Sequence, residues 1–483
     1  MIPDWVEPAS LVAFAPLIGA LLLATIDNPR LGSLVAIAAS GVGLGFALLL
    51  PTQIGHGVFI LVDPLSAHVA ILTAFVGFTS ALYSRRYIEV ELASGRLDPR
   101  RVRQYHALFM SFLGFMLLAL LSNNLGVTWV ALEAATISAV VVVGLPRTEN
   151  AVEASWKFFI LCGVGIALAL FGTVVLYLAA LPALGTGYAA MTWTELARAA
   201  PNCRGTLLNL AFVFLLVGYG TKAGLAPLHG WMPDAHAEGP TPVSAVLAGS
   251  VLNVALVVIL RLRGIMASNA QAIDPGPPIM ALGLLSVLFA AFSLWGRRDV
   301  KRFFAFSSIE QSGLAAFAIG LGGNGATFAA LLHITVHTLA KSAVFQCVGR
   351  AAQRKGSQRF DSISGLISSD RLLGLTLAAG IVAIAGLPPF GLFASEILIL
   401  SSTMSLHPWL VLPVAIGLLV GGWKLFARLI DLCLGAPGIG HAPAIGALSL
   451  VPAWTHLAIV MLLGVAMPSA FAAWLAAAAQ VAP

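Results

Sequence analysis

Charge is scarce in this chain of 483 residues. Asp, Glu, Lys and Arg together make up 10% of it, against about a quarter in ordinary soluble domains, and that shortage excludes a solvated enzyme. Cysteine is rarer still. The four present, Cys162, Cys203, Cys347 and Cys433, are scattered with no CxxC pair, so neither an iron–sulfur cluster nor a disulfide framework is supported. With no metal or flavin motif either, no cofactor is expected in this chain. A basic n-region is also missing: the sequence opens MIPDWVEPAS, which argues against a cleaved signal peptide and for a first span that inserts and stays.

What the chain does have is apolar length. Hydrophobic residues are 59% of the total and mean hydropathy is +0.95, which describes a polytopic membrane protein. The net charge of +6 therefore informs through its distribution over loops, and no nucleic-acid partner is expected. Apolar stretches fall at about 9–26, 31–51, 58–84, 106–122, 124–145, 154–180, 206–226, 242–262, 277–296, 307–322, 326–348, 372–405, 408–430 and 455–479. This predicts an all-α fold of fourteen transmembrane helices. The twelfth stretch is too long for one straight span and holds Gly386, Pro388 and Pro389 near its centre, so it reads as one broken helix.

Orientation follows from the basic residues. With the N-terminus outside, eighteen fall in inner loops: Arg30, Arg85, Arg86, Arg96, Arg100, Arg101, Arg103, Arg147, Arg297, Arg298, Lys301, Arg302, Arg350, Arg354, Lys355, Arg359, Arg371 and Arg428. Only Arg198, Arg204, Arg261 and Arg263 fall outside. That bias places both termini on the outer, periplasmic face of a bacterial or archaeal inner membrane.

Two interruptions hint at symmetry. Leu225-Ala226-Pro227-Leu228-His229-Gly230 breaks span seven and Leu387-Pro388-Pro389-Phe390-Gly391 breaks span twelve. An offset of five spans reverses the direction of travel, so the breaks point to two inverted five-helix repeats. The chain then divides into spans one to three (1–105), a first repeat of spans four to eight (106–264), a second of spans nine to thirteen (265–430) and a last span (431–483).

Ionisable groups within spans are costly and usually mark an ion or proton path. Lys222 lies about four turns into span seven, just before a polar stretch with His229, Asp234, His236 and Glu238. Glu133, near the middle of span five, has no other carboxylate nearby in sequence, and Lys222 is its natural partner. At an effective dielectric near 20 and about 4 Å such a pair interacts by about 4 kcal/mol, close to the roughly 4.6 kcal/mol that about 200 mV gives one charge. A static pair holding two helices in register is the bland alternative.

Glu153 and Lys157 sit at i, i+4 at the start of span six. They read either as an interfacial pair or as a place where Lys157 tunes whichever carboxylate faces it. His333, His337 and Lys341 follow one stripe of span eleven at i, i+4 and i+8. The HExxH pattern of a zinc site is absent, and a proton relay suits the stripe better. Glu396 stands seven residues after Pro389 in the second half of span twelve. Asp63 reads as an N-cap before Pro64, and Asn253, mid-span, can hold water in a chain but cannot store a proton.

The stretches TKAGLAPLHGWMPDAHAEGPTPVSAVLAG, RRDVKRFFAFSSIEQSGL, HITVHTLAKSAVF and AGLPPFGLFASEILIL, in that order, resemble the antiporter-like membrane subunits shared by respiratory complex I, multisubunit cation/proton antiporters and membrane-bound hydrogenases. The resemblance covers about residues 60–430. Within that family, LLALLSNNLGVTWVALEAATISAVVVVGL and EASWKFFILCGVGIALALFGTVVLY are most similar to the hydrogenase-4 type subunit of formate hydrogenlyase-type complexes. It implies that Glu133 and Lys222 form the proton-input pair, that Lys341 is the span-eleven lysine of some members, and that Glu396 is the exit group. Asn253 departs from the complex I pattern, where a lysine commonly stands, and shifts weight to His333, His337 and Lys341.

The resulting expectation is a subunit that moves protons or sodium ions along a central line of buried charges. Its partners are other membrane subunits, redox subunits beyond them, and the lipid bilayer; the chain itself holds no redox centre. Entering ions pass near His229, Asp234 and His236 or along span eight. Two rival readings are a non-pumping structural scaffold and the membrane subunit of a bicarbonate-uptake module.

Overall fold

The computed structural model describes residues 8–436 and 446–481, so the opening acidic residues and both chain ends lie outside what is described. The chain begins with α1 (Pro8–Leu23), α2 (Pro29–Ala47), α3 (Pro64–Ala93), α4 (Pro99–Leu121), α5 (Leu125–Val143) and α6 (Glu149–Leu184). A short α7 (Trp193–Ala199) leads to α8 (Gly205–Lys222), α9 (Met232–Glu238), α10 (Thr241–Val246) and α11 (Leu252–Ala267). Next come α12 (Gly276–Ser293), α13 (Val300–Leu321), α14 (Gly323–Lys355), and the single turns α15 (Phe360–Ile363) and α16 (Leu366–Ser369). The last are α17 (Arg371–Ile384), α18 (Gly391–Leu406), α19 (Val411–Leu429), α20 (Val451–Val465) and α21 (Ser469–Ala479). A two-stranded hairpin, β1 (Gly55–His56) and β2 (Leu61–Val62), is the sole sheet among the described residues.

Among those residues, twelve helices are long and apolar enough to cross a membrane. Pro8–Leu23, Arg371–Ile384, Gly391–Leu406 and Ser469–Ala479 are apolar but shorter. Many helices start on a short polar side chain that satisfies a first-turn N–H. Asp63 accepts from Ser66 N at 2.7 Å, Asp98 from Arg101 N at 2.8 Å and Asp299 from Arg302 N at 2.8 Å. Proline follows Asn28, Asp63 and Asp98 at the first helical position, where no N–H is needed.

Several expected stretches differ from their helices, the third, sixth and fourteenth among them. The third begins at Pro64 rather than residue 58, because the preceding residues form the hairpin. The sixth is longer at both ends, 36 residues. The fourteenth is two helices, α20 and α21, parted ahead of Pro468, a residue that cannot continue a helix through its own nitrogen.

The core lies where α10–α11, α13 and α14 meet. Residues 241–260 are buried throughout, while Pro408–Leu434 shows most of its surface, with Leu412 and Leu419 68% and 72% exposed. Small residues let helices close in: a Cβ on Gly283 of α12 would lie 2.5 Å from Phe317 N of α13, the backbone proximity that membrane helix pairs use. Between α10 and α11 a π turn, Leu247–Val251, bulges beside Thr338 of α14. Such turns gather at functional positions.

Candidate ion path

The first cluster forms at the break after α8. Lys222, 1% exposed, ends that helix with its Nζ 3.1 Å from Glu133 Oε2 and 2.6 Å from Thr136 Oγ1, both on α5. A cation in a last helical turn also faces the negative end of the helix dipole. Gly224, at φ +69°, turns the chain out of the helix. The groups this break frees are met by side chains: Trp231 Nε1 donates to Thr221 O at 2.9 Å, Ser312 Oγ to Ala223 O at 2.7 Å, and Ala226 N to Ser286 Oγ at 2.8 Å. A broken helix is tolerable in hydrocarbon on that condition.

Beyond the break the three suspected inlet residues separate. His236 is fully buried and stacks on Phe345 at 4.9 Å, with neither ring nitrogen hydrogen-bonded among the described residues. His229 packs on Phe289 at 4.6 Å. Asp234 turns to the surface, where Lys157 reaches it at 3.0 Å and Arg302 at 3.2 Å. Lys157 also holds Glu153 at 2.6 Å and is 46% exposed. The carboxylate facing Lys157 is thus Asp234, not Glu133, and the interfacial alternative fits this pair. Burial pushes the carboxyls of Glu238 and Asp299 above the ordinary range, against Lys301 and Arg302.

Lys301 corrects the loop assignment. Counted among the inner-loop charges, it is 2% exposed, its Nζ donating to Ala237 O at 2.8 Å and Gly239 O at 2.7 Å. It thereby closes the C-terminal end of α9. Asn253 donates to Thr338 Oγ1 at 2.8 Å and ties α11 to α14.

The second cluster lies on α14 and its neighbours. The His333 and His337 rings are parallel with centroids 6.1 Å apart, and His333 Nδ1 is 2.9 Å from Ser395 Oγ. Lys341 Nζ donates to Phe304 O at 2.9 Å. Glu310 of α13, which the sequence analysis passed over, is 1% exposed and within electrostatic reach of both Lys341 and Glu396. Its carboxylate fills the space a Cβ on Gly421 would need. Gln311 lies beside Glu396, whose carboxylate rests against Gly386, at φ +66°. Glu310 was hidden by its setting, since SSIEQSG reads as a polar helix end. Its signal was positional: it lies in the middle of α13 as Glu133 lies in the middle of α5.

Several buried atoms here have no hydrogen-bond partner among the described residues: Glu310 Oε2, Gln311 Oε1, His337 Nε2 and Ser307 Oγ. Buried polar atoms are normally satisfied by protein or ordered water. No group of three or more His, Cys, Asp or Glu among the described residues could hold a metal ion. The arrangement is one of proton donors and acceptors.

Residues 122–420 match the family profile "NADH:quinone oxidoreductase/Mrp antiporter, TM". A hydrogenase-4 component F homolog of Methylacidiphilum infernorum (isolate V4) is 47% identical over 467 residues, 96% of this chain and 98% of the relative. Among solved structures, a chain of the archaeal membrane-bound sulfane sulfur reductase (MBS), a respiratory membrane complex, superposes with a TM-score of 0.87 at 23% identity, covering 98% of this chain and 97% of that one. A chain of the Mrp complex from Dietzia sp. DQ12-45-1b gives 0.84 at 19% identity, covering 99% and 98%.

Proposed function

The chain belongs to the NADH:quinone oxidoreductase/Mrp antiporter membrane-subunit family, and from that premise we propose that it translocates protons, or sodium ions, as one membrane subunit of a redox-driven complex of the hydrogenase-4 type. The observation that carries the reading is Lys222, buried at a helix break and shared between Glu133 and Thr136. Moving a proton onto or off either partner changes the field felt by the other, and buried charge beside broken helix is a recurring transporter arrangement.

The route has two stations and a link. Ions enter from the arginine-rich inner face through a cavity of about 440 Å³ lined by Glu91, Glu238, Lys301 and Thr241. His236, buried and stacked on Phe345 of the helix that carries Lys341, is the link between the inlet and the second cluster. Glu133 and Lys222 form the first station. His333, His337, Lys341, Glu310 and Glu396 form the second, with Glu396 nearest the outlet. Glu153 and Lys157 act as surface modulators with Asp234, and Asn253 positions Thr338 rather than titrating.

The fourteen-span count adds Pro8–Leu23 and the α17–α18 pair, taken as one broken span, to the twelve longer helices. The repeats over 106–264 and 265–430 gain support from Ala223-Gly224-Leu225-Ala226-Pro227 and Ala385-Gly386-Leu387-Pro388-Pro389, where each glycine has φ near +66° to +69°. Both termini lie outside a bacterial or archaeal inner membrane, redox subunits are reached through neighbouring membrane subunits, and no cofactor sits in this chain. A static scaffold is disfavoured by the buried acceptors and imidazoles left without protein partners.

Proton and sodium flux into vesicles carrying the intact complex tests this. Lys222→Ala and Glu133→Gln should each reduce redox-driven flux by tenfold or more (about 1.4 kcal/mol or more in a barrier) while the complex assembles. Unchanged flux in assembled complexes would refute the path.

A further inference from the structure

A basic cleft where α2, α3 and α4 meet takes no part in the route above. Its volume is about 610 Å³, and its walls carry Arg30 and Ser33 from the start of α2, Arg85, Arg86 and Glu89 from the end of α3, and His106 from α4. Three guanidinium groups against one carboxylate leave two positive charges in excess. Glu89 lies 3.7 Å from Arg85 and 3.6 Å from Arg86, and all three side chains are well exposed. Contacts of that kind are weak and leave both arginines open to a better anion.

Two further observations say what that anion is. His106 is 2% exposed and its Nε2 has no hydrogen-bond partner among the described residues, so one wall of a cationic cleft holds a buried group in want of a polar partner. Beside the cleft, α2 presents Leu31 and Leu34 outward, 50% and 49% exposed, and α3 presents Leu82, 38% exposed. A ligand that fits has a phosphate for the guanidinium forks and long alkyl chains for the leucines. The site also lies at the arginine-rich ends of spanning helices, the level at which a headgroup phosphate sits.

We propose that this cleft binds the headgroup of an anionic phospholipid of the phosphatidylglycerol class. Arg30, Arg85 and Arg86 hold the phosphate, His106 Nε2 supplies a deeper hydrogen bond, and the acyl chains lie along Leu31 and Leu34. A zwitterionic choline headgroup is excluded by its ammonium, which would face the same arginines. The ligand anchors the N-terminal helices and is separate from ion movement.

The test uses the whole membrane complex containing this chain, delipidated in detergent, with its unfolding temperature measured on adding phosphatidylglycerol, phosphatidylcholine or inorganic phosphate. A rise of several degrees with phosphatidylglycerol alone is expected. Arg30→Gln with Arg86→Gln should remove most of that rise, whereas Arg204→Gln, an exposed arginine at the start of α8, should leave it intact. An equal rise with inorganic phosphate or phosphatidylcholine, or an undiminished rise in the double variant, overturns the proposal. Should the double variant fail to assemble, photoreactive phosphatidylglycerol on the unaltered complex decides: label on residues 29–36 and 84–93 supports the site, and label elsewhere, or crosslinking of this cleft to a neighbouring subunit, refutes it.

Discussion

The two charged stations are built in opposite ways. Around Lys222 the groups touch: ammonium, carboxylate and hydroxyl lie within 3.1 Å, and the break beside them has its backbone met by Trp231, Ser312 and Ser286. Around Lys341 they do not. Its ammonium is spent on a backbone carbonyl, Glu310 acts on it and on Glu396 at longer range, and acceptors on Glu310 and Gln311 stay open. In the proposed route the closed pair is the element that holds a proton and the open cluster, with its unmet acceptors, the one that passes it on.

The sharpest way to break this contrast is to remove one member of the closed pair. Lys222→Met should strand the Glu133 carboxylate and destabilise the fold by about 3–5 kcal/mol, seen as a large drop in the unfolding temperature of the purified complex. Adding Glu133→Gln should restore most of that loss and none of the flux. Recovery of flux in the double variant would make the pair structural only.

Next in size is Glu310→Gln. An open cluster predicts a fold hardly weakened, within about 1 kcal/mol, with flux cut severalfold in vesicles; stability lost as heavily as in Lys222→Met would show that Glu310 belongs to a closed pair after all. Trp231→Phe comes third. It deletes the Nε1 bond to Thr221 O and should cost about 1–3 kcal/mol for the carbonyl left buried, with flux falling because Lys222 is displaced; a variant as stable and active as its parent removes the indole from the account of the break.

The smallest effects belong to the surface. Lys157→Gln should change stability by no more than about 1 kcal/mol and flux by less than about twofold; a tenfold loss would place Lys157 on the path itself. Glu238 gives a pH signature. Its carboxyl titrates above the ordinary range because of burial, so its contribution to stability is present at low pH and declines as pH rises through that higher folded-state pKa. Glu238→Gln should flatten this decline in unfolding temperature between mildly acidic and neutral pH, and an unchanged slope would discount it.

Much of this was legible in the chain. Lys222 and Glu133 stand out because a charge in an apolar stretch has few explanations, and the spacing of His333, His337 and Lys341 put them on one stripe without any tertiary information. Misreadings came where a charge sat near a helix end. Lys301 follows two arginines and an aspartate, a setting that resembles a solvated loop, and only the fold of α9 over it shows an ammonium with two carbonyl partners. Glu310 was lost among serines for the same reason. Lys157 found Asp234 across 77 positions of sequence, a partner that no local rule names.

Composition and periodicity alone determined that this protein lives in a bilayer, how its helices are distributed, and which side chains are too costly there to be incidental, because the price of burying charge in hydrocarbon applies wherever the helix happens to pack. Tertiary structure alone decided which charges touch, which only sense one another and which turn out to water. Those outcomes depend on distances of a few ångströms between helices far apart in the chain, and electrostatic and hydrogen-bond energies change over that same length.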